Sequence, residues 1–230
     1  MSGTSPQSPT SPGRTALVLG ATGLVGGQCV DLLLADAGWA RVIVIGRRPL
    51  DRQHPKLAQR VTDLERMDEA GEAFAADDVF CCLGTTIRKA GSREAFLRVD
   101  HDYPVAAGRL ASARGASRFL LVSALGADAG SRIFYNRVKG EVERDVSALP
   151  VTGVALARPS LLLGRRAEHR GGEALAQPVM PLLSPVLRGP LRKYRAIEAR
   201  TVARAMVRLA REGFTGVRVV ESDELERLGG

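Results

Sequence analysis

Tyr135 and Lys139 are spaced so that one helical turn sets a phenol and an ammonium on the same face. A tyrosine with an ordinary pKa near ~10 is a poor base at neutral pH, but adjacent positive charge favours its phenolate and makes it a usable acid or base. The same ammonium could grip a cofactor ribose. Ser123 closes an apolar run and offers a hydroxyl that could hold a substrate carbonyl in the same crevice. Singly, Tyr135 also reads as a half-buried helix aromatic and Ser123 as a strand-end hydroxyl bonded to backbone. Their order behind a glycine-rich start favours the chemical reading.

That start is Thr-Ala-Leu-Val-Leu-Gly-Ala-Thr-Gly-Leu-Val-Gly, residues 15–26. An apolar strand breaks into Gly20, Gly23 and Gly26 and then into helical periodicity, which is the pattern of a strand, a phosphate-binding turn and a helix. Gly20 permits the sharp turn, Gly23 lets a pyrophosphate approach bare backbone, and Gly26 lets the helix pack on the strand. Phosphates then face the positive end of the helix.

A second apolar run ends Val44-Ile45-Gly46-Arg47-Arg48, where an NAD-selective site would place an acid on the ribose hydroxyls. Two arginines stand there instead and suit a 2′-phosphate, since a guanidinium fork matches phosphate oxygens; solvated surface arginine is the plainer alternative. Asp63 could accept from an adenine amino group or cap a helix. Leu83-Gly84-Thr85 follows the fourth run, at the topological switch where an open sheet binds its ligand. The expected cofactor is NADP(H).

The elements that must position these groups alternate along the chain. Strand-like runs at 16–19, 41–45, 60–62, 79–83, 119–123, 151–157 and 217–220 are separated by helical patterns at 23–35, 65–75, 92–114, 133–147 and 198–211. Most of the runs are unbroken, as strands covered on both faces should be. The pattern predicts an α/β fold: one doubly wound Rossmann-type domain over 15–230, with a parallel sheet and a small C-terminal segment over the substrate. Residues 164–194 carry Pro178, Pro181, Pro185 and Pro190 and break the rhythm; they suit a substrate cover, a partner surface or irregular core cover.

Gly-Ala-Thr-Gly-Leu-Val-Gly, Ser123 and Tyr135-Asn-Arg-Val-Lys139 resemble the short-chain dehydrogenase/reductase superfamily, in its atypical NAD(P)-binding branch. More narrowly, Cys81-Cys82-Leu-Gly-Thr-Thr, Arg98-Val-Asp-His-Asp-Tyr103 and Tyr135-Asn-Arg-Val-Lys-Gly-Glu-Val-Glu143 resemble the Tat-interacting-protein-like oxidoreductases and their bacterial relatives. The likeness runs from about Thr15 to beyond Gly164. It implies that Gly20, Thr22, Gly23, Leu24, Val25 and Arg47 hold NADP, that Ser123, Tyr135 and Lys139 are catalytic, and that Arg158-Pro159-Ser160 lines the nicotinamide end. Many members of the superfamily carry an Asn in the helix after the fourth strand, anchoring a relay water. No such Asn can be placed here; Asp100 and His101 fall in that helix.

The composition limits the alternatives. A chain of 230 residues with 45% hydrophobic and 25% charged residues suits one globular domain, and no apolar run approaches a membrane span. Residues 1–14, rich in Ser, Thr, Pro and Gly, read as a disordered tail and not a signal peptide, which predicts a cytoplasmic protein. Cys29, Cys81 and Cys82 and the scattered His54, His101 and His169 lack metal-site spacing, so the thiols read as core residues. The net charge of +8 is arginine spread along the chain, which favours small anionic ligands over nucleic acid. The expected partners are therefore a small-molecule substrate, with neither nucleic acid nor membrane, and a second copy or a protein partner. The function expected is an NADPH-dependent oxidoreductase acting on a carbonyl or hydroxyl group. Its rivals are an NADP(H)-sensing regulatory protein without turnover and a nucleotide-sugar epimerase or dehydratase.

Overall fold

The computed structural model describes residues 13–164 and 193–230. The tail and most of the proline-rich segment singled out above lie outside the described residues.

Seven parallel strands form one sheet: β1 (Arg14–Leu19), β2 (Trp39–Gly46), β3 (Leu57–Val61), β4 (Asp78–Cys81), β5 (Arg118–Val122), β6 (Gly153–Arg158) and β9 (Gly216–Glu221). Their order across the sheet is β3-β2-β1-β4-β5-β6-β9. The central strands bury successive residues on both faces: Ala16 to Leu19 are wholly buried, as are Val79 to Cys81. This is why their sequences run apolar without alternation. Helices α1 (Leu24–Ala35), α6 (Ala199–Glu212) and α7 (Ser222–Gly229) contribute to one core layer, with Trp39 and Met206. A 3₁₀ stretch (Leu64–Phe74), α4 (Tyr103–Ala113) and α5 (Phe134–Ser147) contribute to the other, around Phe74 and Phe119.

The order reverses at β1, whose neighbours are β2 on one side and β4 on the other; Leu19 pairs with both Ile45 and Cys81. Crossovers leave β1 and β4 toward opposite faces there, so the carboxyl ends of these strands open a crevice. A short pair, β7 (Leu162–Leu163) and β8 (Ile197–Glu198), flanks the sheet.

Several expectations need correction. The third strand is 57–61 and not 60–62, because a half-exposed edge strand shows no solid apolar run. The helix expected over 92–114 is three pieces: α3 (Arg93–Leu97), a π-helical turn (Arg98–Asp102) and α4, preceded by the short α2 (Ile87–Ala90). The C-terminal helix α7 was not anticipated, being a single short element after an apolar strand.

At the amino ends of the strands, buried Asp78 accepts from Trp39 Nε1 at 3.0 Å and Arg118 Nε at 2.7 Å and also pairs with Arg14. This cluster fastens β1, β2, β4 and β5 at the end opposite the crevice.

Candidate dinucleotide and catalytic site

The turn after β1 is built around glycine for two distinct reasons. Gly20 has φ +78°, and a side chain there would collide with the Cys82 carbonyl at the end of β4. A side chain at Gly26 would collide with the Gly20 carbonyl, so α1 lies directly on the turn. Gly23 caps α1 without any side-chain hydrogen bond, and the first turn of the helix holds no acid. Its leading amides are therefore left for an anion.

A crevice of about 470 Å³ opens over this turn, lined among others by Gly20, Thr22, Gly23, Arg47, Arg48, Asp63, Leu83, Gly84 and Thr85. Nine of the expected cofactor residues, drawn from the ends of β1, β2, β3 and β4, thus share one cavity. Arg47 and Arg48 are exposed at its β2 wall. Asp63 does two things: it lines the crevice and accepts from the Glu65 amide at 3.2 Å as the cap of the 3₁₀ stretch. Leu24, Val25 and Gly26 form the first turn of α1 and do not line the crevice; Leu24 instead borders a 290 Å³ hollow with Gln28, Gly164 and Arg200. These residues fit a dinucleotide: a glycine cradle under an uncapped helix start, with guanidinium groups where the adenosine ribose would lie.

Tyr135 and Lys139 lie in the first half of α5. A side chain at Gly140 would collide with the Asp128–Ala129 backbone, so the helix is pressed onto the loop that follows β5. The Asp128 amide donates to the Asn136 carbonyl at 3.0 Å, tying that loop to α5. Ser123 stands at the start of this loop, its amide donating to Ala157 O at 2.8 Å. Its hydroxyl is buried and has no hydrogen-bond partner among the described residues.

Lys139 is buried, and its Nζ lies 2.8 Å from Asp100 Oδ1. Asp100 Oδ2 accepts from the Thr85 amide at 2.9 Å, so the carboxylate joins α5 to the crevice loop. A side-chain carbon at Gly84 would stand 3.9 Å from Lys139 Nζ, which places the ammonium directly behind the crevice wall. Burial opposes the charge on Lys139, but Asp100 and Tyr135 outweigh it and hold the ammonium above its usual range. Burial pushes the Tyr135 phenol up, Lys139 pulls it back, and Asp100 pushes it up again. The ring packs on Phe96 with centroids 5.7 Å apart.

Arg158, Pro159 and Ser160, expected at the nicotinamide end, are not among the crevice-lining residues. Arg158 is committed to buried Glu143, Nε to Oε1 at 2.9 Å. The Pro159 carbonyl accepts from Leu125 N at 2.9 Å, and Ser160 bonds to the Arg195 carbonyl and to Ser222. Sequence reasoning did not assign Asp100, Glu143 or the crevice-lining Lys89 and Tyr103 to the site. Asp100 sits between Val99 and the polar His101-Asp102, and nothing in that local pattern marks it as the residue that is buried. As for the thiols, burial pushes Cys81 up to about 12, and Cys82 is raised by its contact with Cys29 and by burial. Cys81 is thus a core group, whereas Cys82 is half-buried and lines the crevice.

The sheet order and the switch-point crevice together define a dinucleotide-binding protein of the Rossmann type. A family model described as NAD(P)H-binding matches residues 20–147. Protein HTATIP2 of Rattus norvegicus is 37% identical over 221 residues, covering 94% of this chain and 89% of its own length. The chain belongs to this NAD(P)H-binding family, alongside HTATIP2. Among solved structures, MoeE5 in complex with UDP-glucose and NAD has a TM-score of 0.67 at 18% identity, over 92% of this chain and 79% of that one. UDP-glucose 4-epimerase from Thermotoga maritima, with UDP-glucose, has a TM-score of 0.66 at 15% identity, over 93% and 80%. Likeness at that level establishes the shared fold.

One comparison overturns an expectation. Protein FMP52 of Eremothecium gossypii, 38% identical over 161 residues (68% of this chain, 70% of its own), is named mitochondrial. So are its namesakes in Debaryomyces hansenii and Candida albicans. The cytoplasmic assignment is therefore withdrawn: it rested on the composition of residues 1–14 and on the lack of a membrane span, neither of which specifies a compartment.

Proposed function

We propose that the protein is an NADPH-dependent oxidoreductase that reduces a carbonyl group of a small molecule or oxidises the matching alcohol. The observation that carries this reading is Tyr135, one helical turn from a buried, charged Lys139 behind the Gly84 wall of a glycine-turn crevice. A bound reduced nicotinamide supplies the hydride. Tyr135 gives its phenolic proton to the oxygen that becomes an alkoxide. Lys139 keeps positive charge beside the phenol as its proton leaves. Ser123, whose buried hydroxyl has no hydrogen-bond partner among the described residues, is a donor for the carbonyl oxygen. Arg47 and Arg48 pair with the 2′-phosphate and so select NADPH over NADH.

The test is to titrate NADPH and NADH by calorimetry and then to screen aldehydes, ketones and quinones for NADPH oxidation. Turnover of one of these that is lost in Tyr135→Phe supports the reading. Tight NADPH binding with no turnover across the screen would replace it with a sensing role.

A further inference from the structure

A buried aspartate-lysine pair is a costly way to fill space: both charges lose their hydration, and their mutual attraction returns that loss only with good geometry. Apolar residues would pack the same volume at least as well. The pair formed by Asp100 and Lys139 sits where it controls a reacting group, since Lys139, one helical turn on, is also the cation that acts on Tyr135.

Among the described residues, the groups around the phenol and its lysine can be named. From α5 comes Lys139; from the π-helical turn comes Asp100, 2.8 Å from the ammonium. Cys81 of β4 faces the Lys139–Asp100 pair, and burial pushes its thiol up to about 12. His101, next to Asp100, turns away to Asp102 and Asp145 at 2.8 and 3.0 Å. From α3 comes the apolar ring of Phe96. Among the described residues one positive and one negative charge therefore act on Tyr135, and they are in contact with each other.

We infer that Asp100 is a positioning residue for the proposed reaction: it holds Lys139 in place and offsets its pull on the resting phenol, so that Tyr135 stands protonated at neutral pH and serves as a proton donor to a carbonyl. The inference rests on the proposed role of Tyr135 and assigns its working direction. A lone lysine beside a tyrosine favours the phenolate, which takes a proton from an alcohol. With Asp100 against that lysine, the phenol keeps its proton until an alkoxide develops on the substrate. The Tyr135 O–H bond then breaks as the new O–H bond forms, and solvent reprotonates the phenolate. Inward positions on this segment run Phe96, Asp100, Pro104, each four residues on, so Asp100 faces the same interior as the ring that packs on Tyr135.

The test needs no substrate. Phenolate absorbance of the full chain is followed against pH in the wild type, Asp100→Asn and Asp100→Glu, each with its Tyr135→Phe counterpart subtracted to remove Tyr103 and Tyr194. Asp100→Asn is expected to lower the Tyr135 midpoint by about one pH unit or more, while Asp100→Glu stays near the wild type. An unchanged midpoint in a folded Asp100→Asn protein overturns the inference. If circular dichroism shows Asp100→Asn unfolded, the double variant Asp100→Asn, Lys139→Gln removes both charges together. A midpoint equal to the wild type then supports cancellation, and a clear rise shows that Lys139 acted unopposed. Because the titration reads Tyr135 directly, its result stands whether or not a carbonyl substrate is found.

Discussion

Lys139 and Glu143 occupy successive turns on one buried face of α5, and each meets an opposite charge from a neighbouring element: Asp100 at 2.8 Å and Arg158 Nε at 2.9 Å. With Tyr135 one turn earlier, this face carries the proposed proton donor at its start and an ionic clamp below it. Arg158 therefore fixes the helix that bears the tyrosine.

Tyr135→Phe should remove at least about a hundredfold of any reductase rate with NADPH affinity nearly intact, since only the proton donor is deleted. Steady-state kinetics on a substrate found by screening, with calorimetry for the cofactor, checks both halves. A wild-type rate in this variant would sink the assignment.

Lys139→Ala should lose both rate and stability, because it leaves a buried carboxylate without its counter-charge; about 3–5 kcal/mol is the scale for such a loss. Urea unfolding at neutral pH measures it. An unfolding free energy within error of the wild type would mean that Asp100 finds another partner.

The pH dependence follows from the sign of the shifts. Lys139 is raised above its ordinary 10.5 and Tyr135 above 10.0 in the folded protein. Their contributions to stability are complete below those ordinary values and are lost as pH rises through the folded ones. Stability should fall in the alkaline range above about pH 10, and a Tyr135→Phe, Lys139→Met variant should show a shallower fall in the same unfolding series.

Arg47→Glu should erase the preference for NADPH over NADH, costing on the order of 1.5–3 kcal/mol in NADPH affinity. Competitive titration of both cofactors decides it, and an unchanged ratio would return Arg47 to the role of surface charge.

Gly23→Val should abolish dinucleotide binding, since its branches project from the uncapped start of α1 into the crevice. A side-chain carbon here would also stand 3.1 Å from the Gly20 carbonyl, so a modest loss of stability should accompany the effect. Circular dichroism and cofactor titration separate the two; normal binding by a folded variant would limit the glycine to a turn-making role.

The sheet was legible in the sequence because strands covered on both faces leave solid apolar runs, as Ala16 to Leu19 and Val79 to Cys81 do. The glycine turn and the Tyr-Lys spacing were legible because each imposes residue types at fixed intervals. The edge strand β3 was misplaced for the converse reason: half its surface meets water. Asp100 escaped because its partner is 39 positions away, Asp100 against Lys139, and because the π-helical turn that aims it has no residue signature. The binding role expected of Arg158 came from family likeness, whereas its contact with Glu143 belongs to tertiary packing that no local pattern encodes.

The turn at Arg98–Asp102 also has a meaning for how this chain can change. It is a single wide turn that takes up one residue more than an α-helical turn would, so that α3 and α4 run on as one rod. Deleting a single residue there would let the rod close into continuous α-helix, a gain by local propensity, with α3 and α4 kept near their present rotation. Such a shortened protein would keep or raise its helical content by circular dichroism, and only the residues of the turn itself, Asp100 among them, would change the direction they face. In this segment a one-residue change of length is therefore felt locally, in the contact between Asp100 and Lys139, and not in the packing of α3 or α4.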